Sequence, residues 1–506
     1  MSHFIDQQAY EDWINEVEQP RLQRRVTAIG AAAYDQDWPL ITIIMPCFNT
    51  PPGFLRAAVE SVLSQIYPRW ELLLVDDAST SEDVAAQLRE FGRREPRIRA
   101  LMRPTNGGIA VATNDALAES QGNYVAFLDH DDALVPQALL LVARFLKEHP
   151  ELRLLYSDSD HIDADGVRHN PFFKPDFNYE LLLGQNFFNH LSVYHSALLR
   201  NLGGLRTGFD GSQDYDLALR AVERLSPDQV GHMPEVLYHW RVHSQSAARS
   251  NMGQAVARAR EALRQHLGRT GQPGTAESPR LAKIHNRVDW SLAAGASDWQ
   301  IVDCEAARDG AELNAQLESS HASHILFLPG GFKAINADSL ATLAGLLARP
   351  QAGAAAATLL APDGRLVQGP VFSPGEPVSA LVGAADDDRG YFARLDLDQR
   401  VTVASLSGLA IQRQVLDNLG GLDPYLRHPL MLGCDLALRL RQLEKFTVWS
   451  PQARFAAGDE QQALAATLPA FTEDLESLMG RWGRELGRDP YYNENFARGR
   501  ADFSLN

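Results

Sequence analysis

The sequence predicts an α/β protein of two tandem domains, each built on a mixed, mostly parallel sheet. Three observations support this: strand and helix patterns alternate along the first half, the second half repeats the first, and 506 residues exceed what one hydrophobic core usually contains. The expected segments are an N-terminal helical extension, a first domain, a connecting helix with linker, a second domain and a C-terminal helical tail, at residues 1–38, 39–250, 251–282, 283–458 and 459–506.

Short apolar runs separated by amphipathic stretches make up the first half. The runs predict strands at Ile41–Met45, Leu72–Val75, Ile98–Met102, Tyr124–Leu128 and Leu152–Tyr156. Amphipathic stretches predict helices at Leu55–Ile66 and Asp83–Phe91, and a charged connecting helix at Met252–Leu267. Parallel sheets bind ligands beyond the carboxyl ends of their strands, so the residues that follow these strands are the candidate site.

Two segments of the first half recur in order in the second. Asn201–Leu205 reappears unchanged as Asn418–Leu422, and Asp216–Arg220 reappears as Asp435–Arg439. The offsets lie between about 200 and 220 residues. This ordered repetition predicts a duplicated domain.

Composition excludes several classes of partner. With Lys+Arg 47 against Asp+Glu 64, the net charge of -17 disfavours broad binding to nucleic acid or to an anionic membrane. Apolar stretches stay far below the roughly 18 residues of a membrane span, and the N-terminus lacks the pattern of an export signal. Cys47, Cys304 and Cys434 show no zinc or disulfide spacing. We therefore expect a cytoplasmic protein, with association at the inner membrane surface left open.

Carboxylates follow two of the predicted strands. Asp129, Asp131 and Asp132 come directly after one strand, where a divalent cation such as Mg²⁺ or Mn²⁺ would neutralise them. The alternatives are a solvated acidic turn, or Asp132 as the N-cap of the next helix. Asp76 and Asp77 end another strand, where they could accept hydrogen bonds from a nucleobase or ribose, or merely form a capping turn.

Taken together, the motifs resemble those of the family 2 glycosyltransferases, whose catalytic domain has the Rossmann-like GT-A fold. The resemblance covers Leu40 to about Ser250. The matching segments are Ile43–Asn49, Ser61–Pro68, Val75–Thr80, Asn106–Gly108, Phe127–Asp132, Gln213–Leu217 and Trp240–Ser244.

The resemblance implies roles for individual residues. Donor-binding residues would be Pro46, Phe48, Asn49, Asp77, Asn106, Asp129 and Asp131. Metal ligands would be Asp131 and His243, with Asp129 and Asp132 as further candidates. The general base would be Asp214, in a segment where Gln213 replaces the usual Glu. The alternatives are a helix N-cap for Asp214 and a surface imidazole for His243.

The repeat has lost the acids. Pro329–Phe332 stands where the first half has Asp129–Asp132, and Gly433 stands in place of Asp214, while Asp435 survives. We therefore expect the second domain to be non-catalytic.

The predicted activity is inverting, metal-dependent transfer of a sugar from a UDP-, GDP- or dTDP-linked donor to a glycan or lipid-linked glycan, in bacterial surface polysaccharide synthesis. Nucleotidyl transfer to sugar phosphates is an alternative, although the loop from Pro46 to Gly53 lacks a basic residue to hold a triphosphate. A non-catalytic carbohydrate-binding scaffold is another, although it leaves the acids of the first domain unexplained.

Overall fold

The computed structural model describes residues 5–30, 37–243, 252–291, 297–458 and 468–506. These residues fall into two compact units. The first unit consists of Ile5–Phe177 and Asn186–His266, and the second unit of Asn178–Gln185 and Leu267–Asn506. No helix in the described ranges is long and apolar enough to cross a membrane.

The first unit contains a nine-stranded sheet flanked by helices. Its strands are β1 (Ile41–Cys47), β2 (Trp70–Asp76), β3 (Ile98–Met102), β4 (Tyr124–Phe127), β5 (Ala133–Leu134), β6 (Leu154–Ile162), β7 (Arg168–Phe172), β8 (Ser192–His195) and β9 (Val230–Arg241). Its helices are α1 (Gln7–Trp13), α2 (Gln19–Ile29), α3 (Pro52–Leu63), α4 (Glu82–Arg94), α5 (Ile109–Glu119), α6 (Ala138–Glu148), α8 (Ser196–Leu202) and α9 (Gln213–Val222). The strand order is β3-β2-β1-β4-β8-β6-β9-β5, and β7 pairs with β6.

The parallel part of this sheet positions the candidate site. Strands β1 to β4 pair in parallel, and the almost wholly apolar residues of β1 and β2 are buried on both faces. In this register Cys47 lies opposite Asp76, and Ile44 lies opposite Phe127. The residues that follow these strands therefore meet at one edge of the sheet.

The N-terminal helices are fixed to the first unit by buried charges. The Tyr10 hydroxyl donates a hydrogen bond to Asp160 at 2.7 Å, and Arg168 donates to Asp160 and Glu18, both at 2.5 Å. Glu18 and Asp160 are almost fully buried, so each depends on this pairing for its stability.

The second unit repeats the sheet of the first without two of its strands. The helix α10 (Met252–Arg269) begins in the first unit, and only its residues from Leu267 onward belong to the second. The elements before the repeated sheet are α7 (Tyr179–Gly184), β10 (Thr275–Glu277) and β11 (Arg287–Asp289). The remaining strands are β12 (Trp299–Val302), β13 (His324–Phe327), β14 (Phe332–Ala334), β15 (Ala352–Leu360), β16 (Leu366–Gln368), β17 (Val371–Phe372), β18 (Val378–Ser379), β19 (Gln399–Val401), β20 (Leu409–Gln412) and β21 (Phe446–Ala457). The remaining helices are α11 (Gly310–Leu317), α12 (Ser339–Leu347), α13 (Arg413–Asn418), α14 (Pro429–Gln442) and α15 (Leu468–Leu486).

The strand order of the second unit, β12-β13-β20-β15-β21-β14, corresponds to β1-β4-β8-β6-β9-β5 of the first. Within the described residues, nothing in this sheet corresponds to β2 and β3. The two mixed sheets and their helices confirm the predicted fold class. In the described residues, the second sheet has no counterpart of β2, the strand that ends at Asp76 and is followed by Asp77 in the first unit.

The recurring sequence segments have the same structural task in both units. Asn114 exchanges two hydrogen bonds with the backbone of Leu205 at 2.8 Å, and Asn314 does so with Leu422 at 2.9 Å. Arg220 and Arg439 are each held by the acid four residues earlier, and each donates to two backbone carbonyls of the repeated Asn-Leu-Gly-Gly-Leu segment. The repeated residues therefore hold the turn between two helices in the same way in both units.

One segment departs from the predicted domain boundaries. The structure places Asn178–Gln185, expected in the first domain, in the second unit. The reason is electrostatic, because the buried carboxylate of Glu180 accepts hydrogen bonds from Arg349 at 2.6 Å and from Arg400. A buried charge of this kind is stable only with its partners.

A buried histidine makes the stability of the first unit depend on pH. The His232 ring lies 2.9 Å from both Asp158 and Asp176. Burial alone would lower its pKa, but these carboxylates raise the pKa of His232 to about 9. The stabilisation, about 3 kcal/mol, should be complete below the unfolded pKa of about 6.5 and lost as the pH rises through 9.

Urea unfolding from pH 6 to 10 should show this decrease in the free energy of unfolding, and His232→Gln should remove it. An unchanged slope would contradict the assignment, and His149→Gln, at an exposed histidine, is the control.

Candidate active site

A cleft lies beyond the carboxyl ends of β1 and β4. Three residues predicted from separate motifs line it: Pro46, Asp129 and Asp214. Ile109, Thr113, Leu205 and Leu217 supply apolar or neutral walls. The fold thus brings the strand-end acid and the helix-start acid to one concave surface.

Asp129 shares this region with other negative charges. Burial, together with the nearby carboxylates of Asp131 and Asp214, raises the pKa of Asp129 to about 7. Its backbone N–H donates to the Tyr238 hydroxyl at 3.2 Å, which fixes the turn after β4. A cation placed among these acids would remove the repulsion that raises the pKa.

Asp131 and His243 approach each other although 112 residues separate them in sequence. Oδ2 of Asp131 lies 2.8 Å from Nε2 of His243, whose ring packs on Phe54 with centroids 4.8 Å apart. No group of three or more His, Cys, Asp and Glu side chains in the described ranges is spaced as a complete metal cage. Mg²⁺ usually takes one or two carboxylates and completes its shell with phosphate and water, so this pair fits a cation shared with a diphosphate.

Asp132 is enclosed by partners within the chain. It is fully buried, and it accepts hydrogen bonds from the Tyr238 hydroxyl at 2.5 Å and the Arg241 backbone N–H at 2.7 Å. With both oxygens engaged, Asp132 anchors the end of β9, and its role as a further metal ligand stays a prediction. The N-cap alternative is wrong, because α6 begins at Ala138 with Gln137 as its N-cap.

Asp214 lies in the first turn of α9, behind Ser212 as the N-cap. Its carboxylate accepts a hydrogen bond from the Asn189 side chain and one from the Tyr215 backbone N–H at 2.8 Å. Burial raises the pKa of Asp214 above the ordinary carboxyl value, which makes it a stronger base. By contrast, Asp216 is fully buried and paired with Arg206 and Arg220, so its role is structural.

Asp77 holds the loop that precedes α5. Its carboxylate accepts hydrogen bonds from the backbone N–H groups of Gly107 at 2.9 Å and Gly108 at 2.8 Å, and it pairs with Arg103. Asn106 donates from its side chain to the Asp77 carbonyl at 3.0 Å. The Asp77 carboxylate therefore has its partners within the chain, and it shapes the loop on the predicted nucleoside side of the site.

The loop after β1 places the other predicted donor residues. Pro46 is near the end of the strand, and the Phe48 side chain is 44% exposed. Asn49 donates from its backbone N–H to the Ser79 hydroxyl at 2.9 Å and accepts from the Thr80 backbone N–H at 2.8 Å. These bonds join the loops that follow β1 and β2.

Sequence reasoning missed several residues of the cleft wall and one residue beneath it. Asn189 and His190 line the cleft, and Tyr238 lies under the His190 ring with centroids 4.7 Å apart. No motif marks Asn189 or His190. Tyr238 could have been recognised from the sequence. It lies two residues before Trp240 on a predictable strand, so the two side chains share one face of the sheet.

Comparison with known proteins agrees with the motif assignment. Residues 42–202 match the family model for glycosyl transferase family 2. The uncharacterized protein y4gI of Sinorhizobium fredii is 32% identical over 93% of this chain and 59% of its own length. The O-antigen biosynthesis protein RfbC of Myxococcus xanthus is 43% identical over 53% of this chain and 21% of its own length. This chain thus spans less than two thirds of either relative.

A solved mannosyltransferase from Pyrobaculum calidifontis, PcManGT in complex with GDP-Man and Mn²⁺, is 21% identical over 51% of this chain and 71% of that one, with a TM-score of 0.36. The family model covers β1, the strand-end acids of β2 and β4, and the chain as far as α8. Residues 42–202 of this chain are therefore similar to the glycosyl transferases of family 2.

Proposed function

We propose that the first unit transfers a sugar, with inversion, from a nucleotide-diphosphate sugar to a glycan or lipid-linked glycan. The observation that carries the proposal is the convergence of Asp129 and Asp214 on one cleft, with Asp131 and His243 paired beside it. The relative named for O-antigen biosynthesis supports a role in bacterial surface polysaccharide assembly. A cytoplasmic location stays a prediction from the sequence.

In this proposal each group has a separate task. Asp214 takes the proton from the acceptor hydroxyl as that oxygen attacks the anomeric carbon, and Asn189 keeps the carboxylate in place. Asp131 and His243 would hold Mn²⁺ or Mg²⁺, which stabilises the charge on the leaving diphosphate. Asp129 interacts electrostatically with both Asp131 and Asp214, and these interactions contribute to its raised pKa.

We further propose that the second unit is non-catalytic. Its described sheet has no counterpart of β2 and β3, whose ends carry donor-site residues in the first unit. Gly433, which replaces the base, packs against the backbone of residues 404–406, so a side chain has no room there. Both features support a structural or acceptor-related role.

A screen of donors by thermal unfolding tests the proposal on the full chain. UDP-, GDP- and dTDP-sugars are added with Mn²⁺, Mg²⁺ or EDTA. One donor at about 100 times its Kd should stabilise the protein by about 2.7 kcal/mol in the presence of the cation. Asp131→Ala should lose the cation-dependent part, whereas Asp165→Asn, at an exposed turn, should keep it. Absence of a shift with every donor would refute the proposal.

Product analysis separates the proposal from nucleotidyl transfer. A glycosyltransferase releases the nucleoside diphosphate from the donor, whereas a nucleotidyltransferase releases pyrophosphate from a nucleoside triphosphate. Pyrophosphate release would favour the second activity.

A further inference from the structure

One wall of the cleft continues as a row of rings, which we call the aromatic strip: His190, Trp240, His161 and His169. The His190 ring centroid is 6.4 Å from that of Trp240, which lies 4.9 Å from that of His161 at an interplanar angle of 87°. His169 follows, 5.5 Å beyond His161. All four belong to the first unit.

Strand geometry places the Trp240 and His161 rings on the same face of the sheet. Tyr238 and Trp240 are two residues apart on β9, so their side chains share one face. His161 is directly opposite Trp240 in the β6–β9 register. The residue between, His239, faces the other way and contacts Asp160 at 2.5 Å. The strip is therefore a surface formed by β6, β7 and β9 together with the segment before β8 that carries His190.

The strip begins beside the proposed base and stays partly exposed. Asn189, which donates to Asp214, immediately precedes His190. All four rings are half-buried, whereas Tyr238 beneath His190 is completely buried. Through His190, the strip thus adjoins the part of the cleft that Asp214 lines.

The chemistry of the strip suits an uncharged ring with an apolar face. Aromatic side chains give large contact area and few conformations, and ligand sites combine such walls with a few polar groups. Burial and the neighbouring His169 lower the pKa of His161 to about 4, so this imidazole is neutral near pH 7. Its Nδ1 lies 3.2 Å from the Asn170 amide. At Trp240 and His161 the strip thus offers aromatic contact without charge.

We propose that the aromatic strip binds the acceptor, a pyranose sugar that stacks on Trp240 and meets the edge of His161 while its hydroxyl points to Asp214. This inference rests on the proposed function and adds the place and the chemical class of the acceptor. The nucleotide sugar occupies the opposite part of the cleft, near Pro46 and Asp129.

The test measures donor and acceptor steps separately. With the donor found by thermal unfolding, hydrolysis of the donor alone is compared with transfer to p-nitrophenyl glycosides of glucose, galactose, mannose, rhamnose and the two common N-acetylhexosamines. Trp240→Ala should raise the acceptor KM about tenfold with donor hydrolysis changed less than about twofold. Trp240→Phe should retain most of the affinity, and His161→Ala should also raise KM.

The control is His149→Ala, which removes an exposed imidazole elsewhere in the first unit. An unchanged acceptor KM in both Trp240→Ala and His161→Ala would overturn the inference. So would wild-type hydrolysis of the donor without transfer to any of these pyranosides. Absence of donor binding and hydrolysis in the wild type would instead refute the proposed function.

Discussion

Replacing Asp214 by Asn should lower sugar transfer about 10²–10⁴-fold while donor binding changes little. The amide keeps the size of the side chain but cannot take the proton of the acceptor hydroxyl. Asp214 lies in the first turn of α9 and accepts hydrogen bonds from Asn189 and the Tyr215 backbone. The measurement is kcat for transfer, together with the donor-induced rise in melting temperature.

The matched control for this prediction is Asp165→Asn, at the exposed turn between β6 and β7, which should transfer at the wild-type rate. Full activity of Asp214→Asn would exclude Asp214 as the base. Loss of donor binding in parallel with transfer would instead indicate that Asp214 contributes to the shape of the cleft.

Replacing Gly433 by Ala should destabilise the second unit by about 3 kcal/mol or more. A Cβ at this position would lie 2.3 Å from the Leu406 nitrogen and 2.5 Å from the Ala404 oxygen. These are backbone atoms, which cannot swing away as a flexible side chain could. Urea unfolding of the full chain, followed by a probe of the second unit, measures the effect.

Gly480→Ala is the control, because Gly480 is exposed on α15 and a Cβ there meets nothing within 4 Å. Since Ala favours the helix, this variant should gain about 0.5–1 kcal/mol. If Gly433→Ala leaves the free energy of unfolding unchanged, the backbone of residues 404–406 can move. This position would then have room for the side chain of a base.

Local sequence patterns predicted the parallel strands well. Ile98–Met102 was predicted with its observed bounds, and the apolar run at Leu72–Val75 lies within the longer β2. Such strands are recognisable because burial on both faces demands continuous apolar residues. The short strand β8, with its mixed residues Ser192–His195, carried no such pattern and was not predicted.

The repeated segments were recognised in the sequence, but their task was not. The sequence showed only that Asp216 recurs as Asp435, and the structure shows that each holds an arginine that binds the preceding turn. The repeated sequence therefore reflects a duplicated structure, because the same hydrogen bonds hold the connection between two helices in both units.

The sequence by itself determined the two-domain α/β class and the motifs that carry the family assignment, because periodicity and strand-end residues are local properties. Only the tertiary structure decided how the acids divide their tasks. Asp132 anchors β9, Asp77 holds a loop, and Asp129 and Asp214 face the cleft. Which partner a carboxylate meets depends on strands and helices far away in sequence, and hydrogen bonding across those distances cannot be read from neighbouring residues.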